Sequence, residues 1–405
     1  MVGRRVAVTG IGALCALGTD RETVWRGLVE GRCGIGQVSL INTTGYRSSV
    51  AAEIPEYHAA RHFTAFEQRR LSRSDQIAIL ASQEALDDSG ILGSGIDPDL
   101  IGIMLGSGTG DLLRNEDYFA EVRTRGLRRA RLSKVFNHFS STPIDAVGSR
   151  FGLQGIRACP VSACSSSTIA IGYAGDAIAE GLLDAALCGG SDVLCQLTFS
   201  GFNALRLVDT QPCRPFDASR NGMNIGEAAG ILLLEDMDRA MKRGARIYAE
   251  LAGYGLTCEA FHPTSPEPEG KAIAATLRAA LHASGVDASE IDHVNAHGTG
   301  TQHNDRAEAR GLRLVFGERV REIPVNSIKS MLGHCLGAAG AIEAVALALT
   351  IARGVIPPTI HHQHTDADCD LDVVPNMARE TSVKCAVSTS LAFGGNNAAL
   401  VMRAV

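Results

Sequence analysis

The sequence predicts an α/β protein whose sheets are covered by helices, and three observations carry that prediction. Short β-branched runs alternate with longer Ala/Leu-rich stretches along the whole chain, the pattern of strands that bury one face under helices. The 44 glycines and abundant alanines suit close helix and strand packing, and no Gly/Pro/Ser-rich linker separates the periodic segments. At 405 residues and 45% apolar content, the chain can bury a sizeable core as two domains or one large duplicated unit.

Taken in order, Arg5 to Thr9 reads as the first strand and Arg21 to Glu30 as the helix after it. Val161-Ser162-Ala163 reads as a strand end, with a helix starting at Thr168-Ile169-Ala170-Ile171 and running to Glu180. Asp292 to Asn295 is the next strand and Asp305 to Phe316 its helix; a turn at His334 then leads into a helix from Ala338 to Ala352. The chain thus reads as two comparable halves, although the halves share too little sequence to establish duplication by themselves.

Composition narrows the function. A net charge of −6 argues against general nucleic-acid binding, which needs an excess of basic surface. The N-terminus runs from Met1-Val2-Gly3-Arg4-Arg5 straight into Val6-Ala7-Val8 with no signal-peptide core, and no apolar run reaches the roughly 20 residues of a membrane span. The 11 cysteines, an odd number without a Cys-x-x-Cys pair, form neither a disulfide framework nor a zinc ribbon. A cytoplasmic protein is expected. Two basic stretches stand out on this acidic chain: Arg123, Arg125, Arg128, Arg129, Arg131 and Lys134, and Arg69, Arg70 and Arg73.

Three segments set a reactive side chain beside small residues: Ser162-Ala163-Cys164-Ser165-Ser166-Ser167, Asn295-Ala296-His297-Gly298-Thr299-Gly300-Thr301, and Lys329-Ser330-Met331-Leu332-Gly333-His334. A cysteine with one imidazole suits acyl transfer or hydrolysis. A second imidazole adds a hydrogen-bond donor for an oxygen that gains charge in a later step, which points to carbon–carbon bond formation. Cys164 is expected on a turn at a helix N-terminus, where the helix dipole lowers a thiol pKa. The other ten cysteines read as buried small hydrophobes. The hydroxyls of Thr299 and Thr301 could hydrogen-bond an amide-bearing arm. Lys329 and Glu343 lie among apolar neighbours, where an ionised group needs a partner. His361-His362-Gln363-His364 lacks the carboxylates and thiols of a metal site and reads as a surface turn, so no metal is assigned.

The order Cys, His, His with these flanks, followed by Leu391-Ala392-Phe393-Gly394-Gly395-Asn396-Asn397, resembles the β-ketoacyl-acyl-carrier-protein synthases of KAS I/II type, in the thiolase superfamily. The resemblance extends from Arg4-Arg5-Val6-Ala7-Val8-Thr9-Gly10-Ile11-Gly12 through Cys213-Arg214-Pro215-Phe216-Asp217 and Gly226-Glu227-Ala228-Ala229-Gly230. It implies a thiolase-like five-layer α-β-α-β-α sandwich of two related halves. Residues 1–246 would carry the nucleophilic cysteine, and residues 247–405 both histidines and the Phe-Gly-Gly gate loop.

The resemblance also implies roles. Cys164 would hold the acyl group, His297 and His334 would serve the extender thioester, and Lys329 and Glu343 would join their hydrogen-bond network. Asp305 and Glu308 would be structural. Thr299 and Thr301 would touch phosphopantetheine, and Phe393 would be the aromatic gate beside Gly394, with a backbone N–H of that turn completing an oxyanion hole with Cys164. Thr109 and Phe202 would line the acyl pocket. Arg69, Arg70, Arg128, Arg129 and Arg206 would receive an acidic acyl carrier protein. The implied reaction is a decarboxylative Claisen condensation of the Cys164-bound acyl group with malonyl-carrier protein, in fatty-acid or polyene/polyketide elongation, with no cofactor beyond the carrier's phosphopantetheine. A homodimer is expected, or a heterodimer with a related synthase-like chain. The alternatives are a non-catalytic chain-length partner, which would lack the nucleophile, and a thiol hydrolase. The gate loop departs from the family in Leu391-Ala392 for Phe-Gly, Asn396 for Thr and Thr389 for Asn.

Overall fold

The computed structural model describes residues 3–135 and 138–405. Ten strands form one mixed sheet: β1 (Val6–Cys15), β2 (Ile101–Gly106), β3 (Arg157–Ala158), β4 (Ala185–Asp192), β5 (Ala228–Asp236), β6 (Ala249–Cys258), β7 (His293–Asn295), β8 (Val325–Asn326), β9 (Cys385–Ser390) and β10 (Asn396–Arg403). Their spatial order is β8-β7-β9-β10-β6-β1-β5-β4-β2-β3. Adding five to each number in β1-β5-β4-β2-β3 reproduces the other wing, β6-β10-β9-β7-β8.

Strand direction repeats as well: β1-β5 and β5-β4 are antiparallel, then β4-β2 and β2-β3 parallel. In the second wing β6-β10 and β10-β9 are antiparallel, then β9-β7 and β7-β8 parallel. A short antiparallel ladder, Val6–Val8 against Ala249–Leu251, joins the wings. The duplication too faint to establish from sequence is therefore plain in topology.

Six helices complete the layers: α1 (Arg73–Ser89), α2 (Thr142–Phe151), α3 (Ser166–Ala179), α4 (Lys271–Ser284), α5 (Gln302–Phe316) and α6 (Ala339–Arg353). Helices α3 and α6 pack on each other and on strands of both wings, which makes them the middle layer. Helices α1 and α2 cover the outer face of the first wing, and α4 and α5 that of the second. Sequence pattern follows position. Outer helix α5 buries one face, including Asp305, Glu308, Leu312 and Phe316, whereas central α6 is buried from Ala339 through Ile351 and is apolar nearly all round.

Three expectations change. The segment Leu336–Arg353, 18 residues with mean hydropathy 1.5, does approach membrane-spanning length, but 89% of it is buried within the protein, so it is the central core helix. No strand ends at residues 161–163; pairing stops at Ala158, because Pro160 cannot donate to a ladder. Cys33 and Cys258 are exposed and Cys159 half-buried, rather than core hydrophobes.

Candidate active site

Three turns converge where the middle helices begin. Cys164 lies in the turn Ala163–Ser165 at the entry to α3. Ala163 takes φ +46°, a left-handed conformation that costs a residue with a Cβ about 1–2 kcal/mol. Serines hold it there: the Ser162 N–H donates to Ser166 Oγ at 2.8 Å, and Ser166 Oγ donates to the Ala163 carbonyl at 2.7 Å. The turn sits directly on the end of β2, where a Cβ on Gly106 would lie 2.2 Å from the Ser166 carbonyl carbon.

His297 follows β7. Glu308, buried on α5, accepts the His297 and Gly298 N–H groups, each at 2.8 Å, and the Thr389 hydroxyl at 2.7 Å. Lys329 donates to Glu343 and, at 3.3 Å, to His297 Nδ1. A lysine nitrogen has only donors to offer here, so Nδ1 accepts and the ring proton sits on Nε2. His334 reaches the same state by another route. Its Nδ1 accepts the Leu336 N–H at 3.2 Å, while its Nε2 is buried without a protein partner.

The two rings meet edge to face, with centroids 5.1 Å apart and planes at 86°. The Cys164 sulfur and one nitrogen from each ring lie within 4.8 Å of one another. Burial, reinforced by the Lys329 charge, holds both imidazoles well below the usual histidine range, so they are neutral. Three such atoms resemble a metal site in spacing alone. Ligation requires lone pairs, and the Nδ1 lone pair of each ring is already taken by Lys329 or by the Leu336 N–H, so the remaining ring N–H groups suit an oxyanion better than a cation.

Burial pushes the Cys164 thiol up to about 11, and the Lys329 charge and the Phe393 backbone N–H pull in the opposite direction. This burial, which disfavours the charged sulfur, opposes the lowering expected from the helix N-terminus. Glu343 is raised by the same burial and drawn back by Lys329.

A cleft opens over this centre, lined among others by Phe202, Leu207, Thr299, Thr301, His303 and Phe393. The Phe202 and Phe393 rings lie 5.6 Å apart, and the Thr299 and Thr301 hydroxyls are 3.0 Å apart. Gly394, at φ +83°, shapes the gate turn by donating to the Pro263 carbonyl at 2.8 Å. Thr109 is not among the residues lining this cleft; its hydroxyl donates to Asp192 at 2.9 Å and to the Val193 carbonyl at 3.3 Å. Asp305 is structural, accepting the Phe216 and Gly300 N–H groups. The 361–364 segment is a turn whose Gln363 and His364 N–H groups bind Asp217. Glu259, His262 and His303 also line the cleft, and no short motif singled out His303 in the sequence.

Arg69 and Arg70 end the short helix Ala65–Arg70, Arg128 and Arg129 occupy the turn Leu127–Arg129, and all four are exposed. Arg206, also exposed, precedes the cleft residue Leu207. Two other basic residues are committed to internal pairs: Arg73 to Glu227 at 2.6 Å, and Lys134 to Glu121 at 3.1 Å.

A duplicated α/β sandwich with a cysteine facing two donor histidines defines a thiolase-like condensing enzyme. The chain belongs to the β-ketoacyl synthase family: residues 3–240 match its N-terminal domain and residues 248–363 its C-terminal domain. It is 37% identical over 406 residues to the 3-oxoacyl-[acyl-carrier-protein] synthase 2 of Staphylococcus aureus strain N315, covering 99% of this chain and 98% of that protein. It is 35% identical over 407 residues to the protein of the same name from Synechocystis, with coverage of 99% and 98%. Among solved structures it resembles the ishigamide ketosynthase/chain length factor (36% identity, TM-score 0.95, all of both chains). It also resembles the AntDE:AntF complex of a type II PKS acyl-carrier protein with its ketosynthase bound to the hexaketide (31% identity, TM-score 0.93, all of both chains).

Proposed function

We propose that this protein is a 3-oxoacyl-[acyl-carrier-protein] synthase, an acyltransferase that condenses an acyl group carried on Cys164 with malonyl-carrier protein. The observation that carries the reading is the pair of neutral imidazoles whose Nδ1 atoms are engaged elsewhere, which leaves the ring proton of each on Nε2, with one nitrogen of each ring within 4.8 Å of the Cys164 sulfur. In the first half-reaction Cys164 Sγ attacks the acyl thioester carbonyl, whose oxygen is held by the backbone N–H groups of Cys164 and Phe393. Collapse breaks the carbon–sulfur bond to the carrier, and the departing sulfur takes up the proton the Cys164 thiol loses. In the second, malonyl thioester releases carbon dioxide and the electron pair moves onto the thioester oxygen, an enolate accepting from His297 and His334. The enolate carbon then attacks the acyl-Cys164 carbonyl, the carbon–sulfur bond breaks, and the freed thiolate takes a proton from water.

Lys329 and Glu343 act through His297 by fixing its tautomer. Thr299 and Thr301 hold the phosphopantetheine arm, and no resident cofactor or metal enters the scheme. Phe393 gates the cleft against Phe202. The exposed arginines, Arg206 at the mouth and Arg69, Arg70, Arg128 and Arg129 beyond it, receive the acyl carrier protein. The active unit is a dimer, with itself or with a related chain. Eleven free cysteines go with a reducing cytoplasm. The split into an N-terminal half ending at residue 246 and a C-terminal half from 247 follows the repeat in strand order. The chain-length-partner alternative is disfavoured by Cys164, which that role does not use.

A panel of acyl-carrier thioesters of different length and unsaturation, each incubated with malonyl-carrier protein and read by mass spectrometry, tests the reading and its pathway. A 3-ketoacyl product two carbons longer than the starter is expected. Starters confined to saturated chains indicate fatty-acid elongation, and a preference for unsaturated or keto chains a specialised pathway. No product with any starter would overturn the reading.

A further inference from the structure

Asp192, the last residue of β4, touches none of the reacting atoms, yet it is fully buried and collects five hydrogen bonds. Its Oδ1 accepts from Ser107 Oγ at 2.7 Å and from the Thr109 N–H and Oγ, each at 2.9 Å. Its Oδ2 accepts from the Gly108 N–H at 2.7 Å and the Gly337 N–H at 2.6 Å. The first four donors belong to the loop after β2, in the first half of the chain. The fifth belongs to the second half, three residues after His334.

That fifth bond makes the carboxylate more than a loop anchor. Within a single turn the Leu336 N–H fixes the His334 tautomer, and the next N–H, of Gly337, is fixed by Asp192. The turn is tight. A Cβ on Gly337 would lie 2.4 Å from the Gly108 nitrogen and 2.6 Å from Asp192 Oδ2. The strand bearing Asp192 runs against both middle helices, since a Cβ on Gly190 would lie 2.8 Å from the Ser167 Cβ and 3.4 Å from the Ala338 Cα. One buried carboxylate therefore joins the loop after β2 to the histidine turn.

We propose that Asp192 is a positioning residue for His334: it ties the 334–337 turn to the 107–109 loop and so holds His334 Nε2 where the enolate oxygen forms. The proposal rests on the condensing-enzyme reading, in which His334 serves the second half-reaction. A merely structural acid would affect both half-reactions alike; a positioning acid separates them.

Asp192→Asn keeps the size of the side chain but turns one acceptor into an NH₂ that faces backbone donors. Malonyl-carrier decarboxylation should fall about tenfold or more, short of the full loss of an oxyanion donor. Acylation of Cys164 by an acyl thioester should stay within about twofold of wild type, and Asp192→Asn added to His334→Ala should cost no more than His334→Ala alone, as for groups acting through one another. Gly337→Ala, which pushes the turn off an intact carboxylate, should reproduce the same separation and decides the matter alone if the first variant does not fold. Equal losses of acylation and decarboxylation, or multiplicative losses in the double variant, would overturn the proposal. Wild type that performs neither half-reaction would overturn the condensing-enzyme reading instead.

Discussion

At Cys164 burial and local charge act in opposite directions, and burial prevails, leaving a thiol pushed up to about 11. The thiolate fraction of such a group rises about tenfold per pH unit below its pKa, and the thiolate is the reactive form. Alkylation of Cys164 by a neutral reagent, followed by peptide mass spectrometry, should therefore accelerate about tenfold per unit from pH 7 to 9. A plateau near pH 7 would mean that the helix N-terminus dominates after all. His297→Ala and His334→Ala should each reduce condensation by about 10² to 10³, the loss typical of one oxyanion donor, while acyl transfer to Cys164 persists. Undiminished malonyl decarboxylation in both variants would refute that division. At this scale the sequence was highly legible, because Cys164, His297, His334 and Lys329 each sit in a distinctive short motif. The thiol's charge state was not, since it depends on how completely distant segments exclude water. The five donors of Asp192 were equally hidden, as no local pattern marks an acid whose partners come from two other turns.

Elements translate these residues into geometry. Lys329 begins the short helix Lys329–Leu332 and Glu343 lies on α6; both are 1% exposed, so each depends on the other to offset its lost hydration. Removing one partner of a buried pair typically costs about 3–5 kcal/mol. Lys329→Met should accordingly lower the denaturation midpoint and also condensation, because His297 Nδ1 loses its donor. Denaturant unfolding alongside the condensation assay checks both, and an unchanged midpoint would show that Glu343 is satisfied elsewhere. Periodicity anticipated the middle helices α3 and α6 to within about two residues at each end, and outer helix α5 at its end but not its start, which lies at Gln302 rather than Asp305, whereas the stretch before Cys164 was misread as a strand. Pro160 and the left-handed Ala163 make that stretch a loop, and it is the serine hydrogen bonds, invisible to propensity, that stabilise it.

On the scale of the whole molecule, duplication was faint in sequence and clear in strand order, because topology tolerates substitutions that erase identity between the halves. The charge pattern belongs to this scale too. An acidic carrier meeting exposed arginines on a protein of net charge −6 gains encounter rate and orientation, an advantage that salt screens over about 10 Å at 0.1 M. Reversing charge at Arg128 and Arg129, or at Arg69 and Arg70, should weaken use of carrier-bound substrates more than use of small thioester analogues. Equal losses for both substrate classes would return these arginines to an ordinary solvated face.

The central claim, one cysteine serving two half-reactions completed by two histidines, is tested most directly by intact-protein mass spectrometry in two stages. Wild type incubated with an acyl-carrier thioester should gain the acyl mass on Cys164, and Cys164→Ala should gain nothing. Adding malonyl-carrier protein should then discharge the adduct with release of carbon dioxide and formation of the 3-ketoacyl-carrier product. An adduct on the Ala variant, or discharge of the wild-type adduct as free acid without a 3-ketoacyl product, would contradict the account.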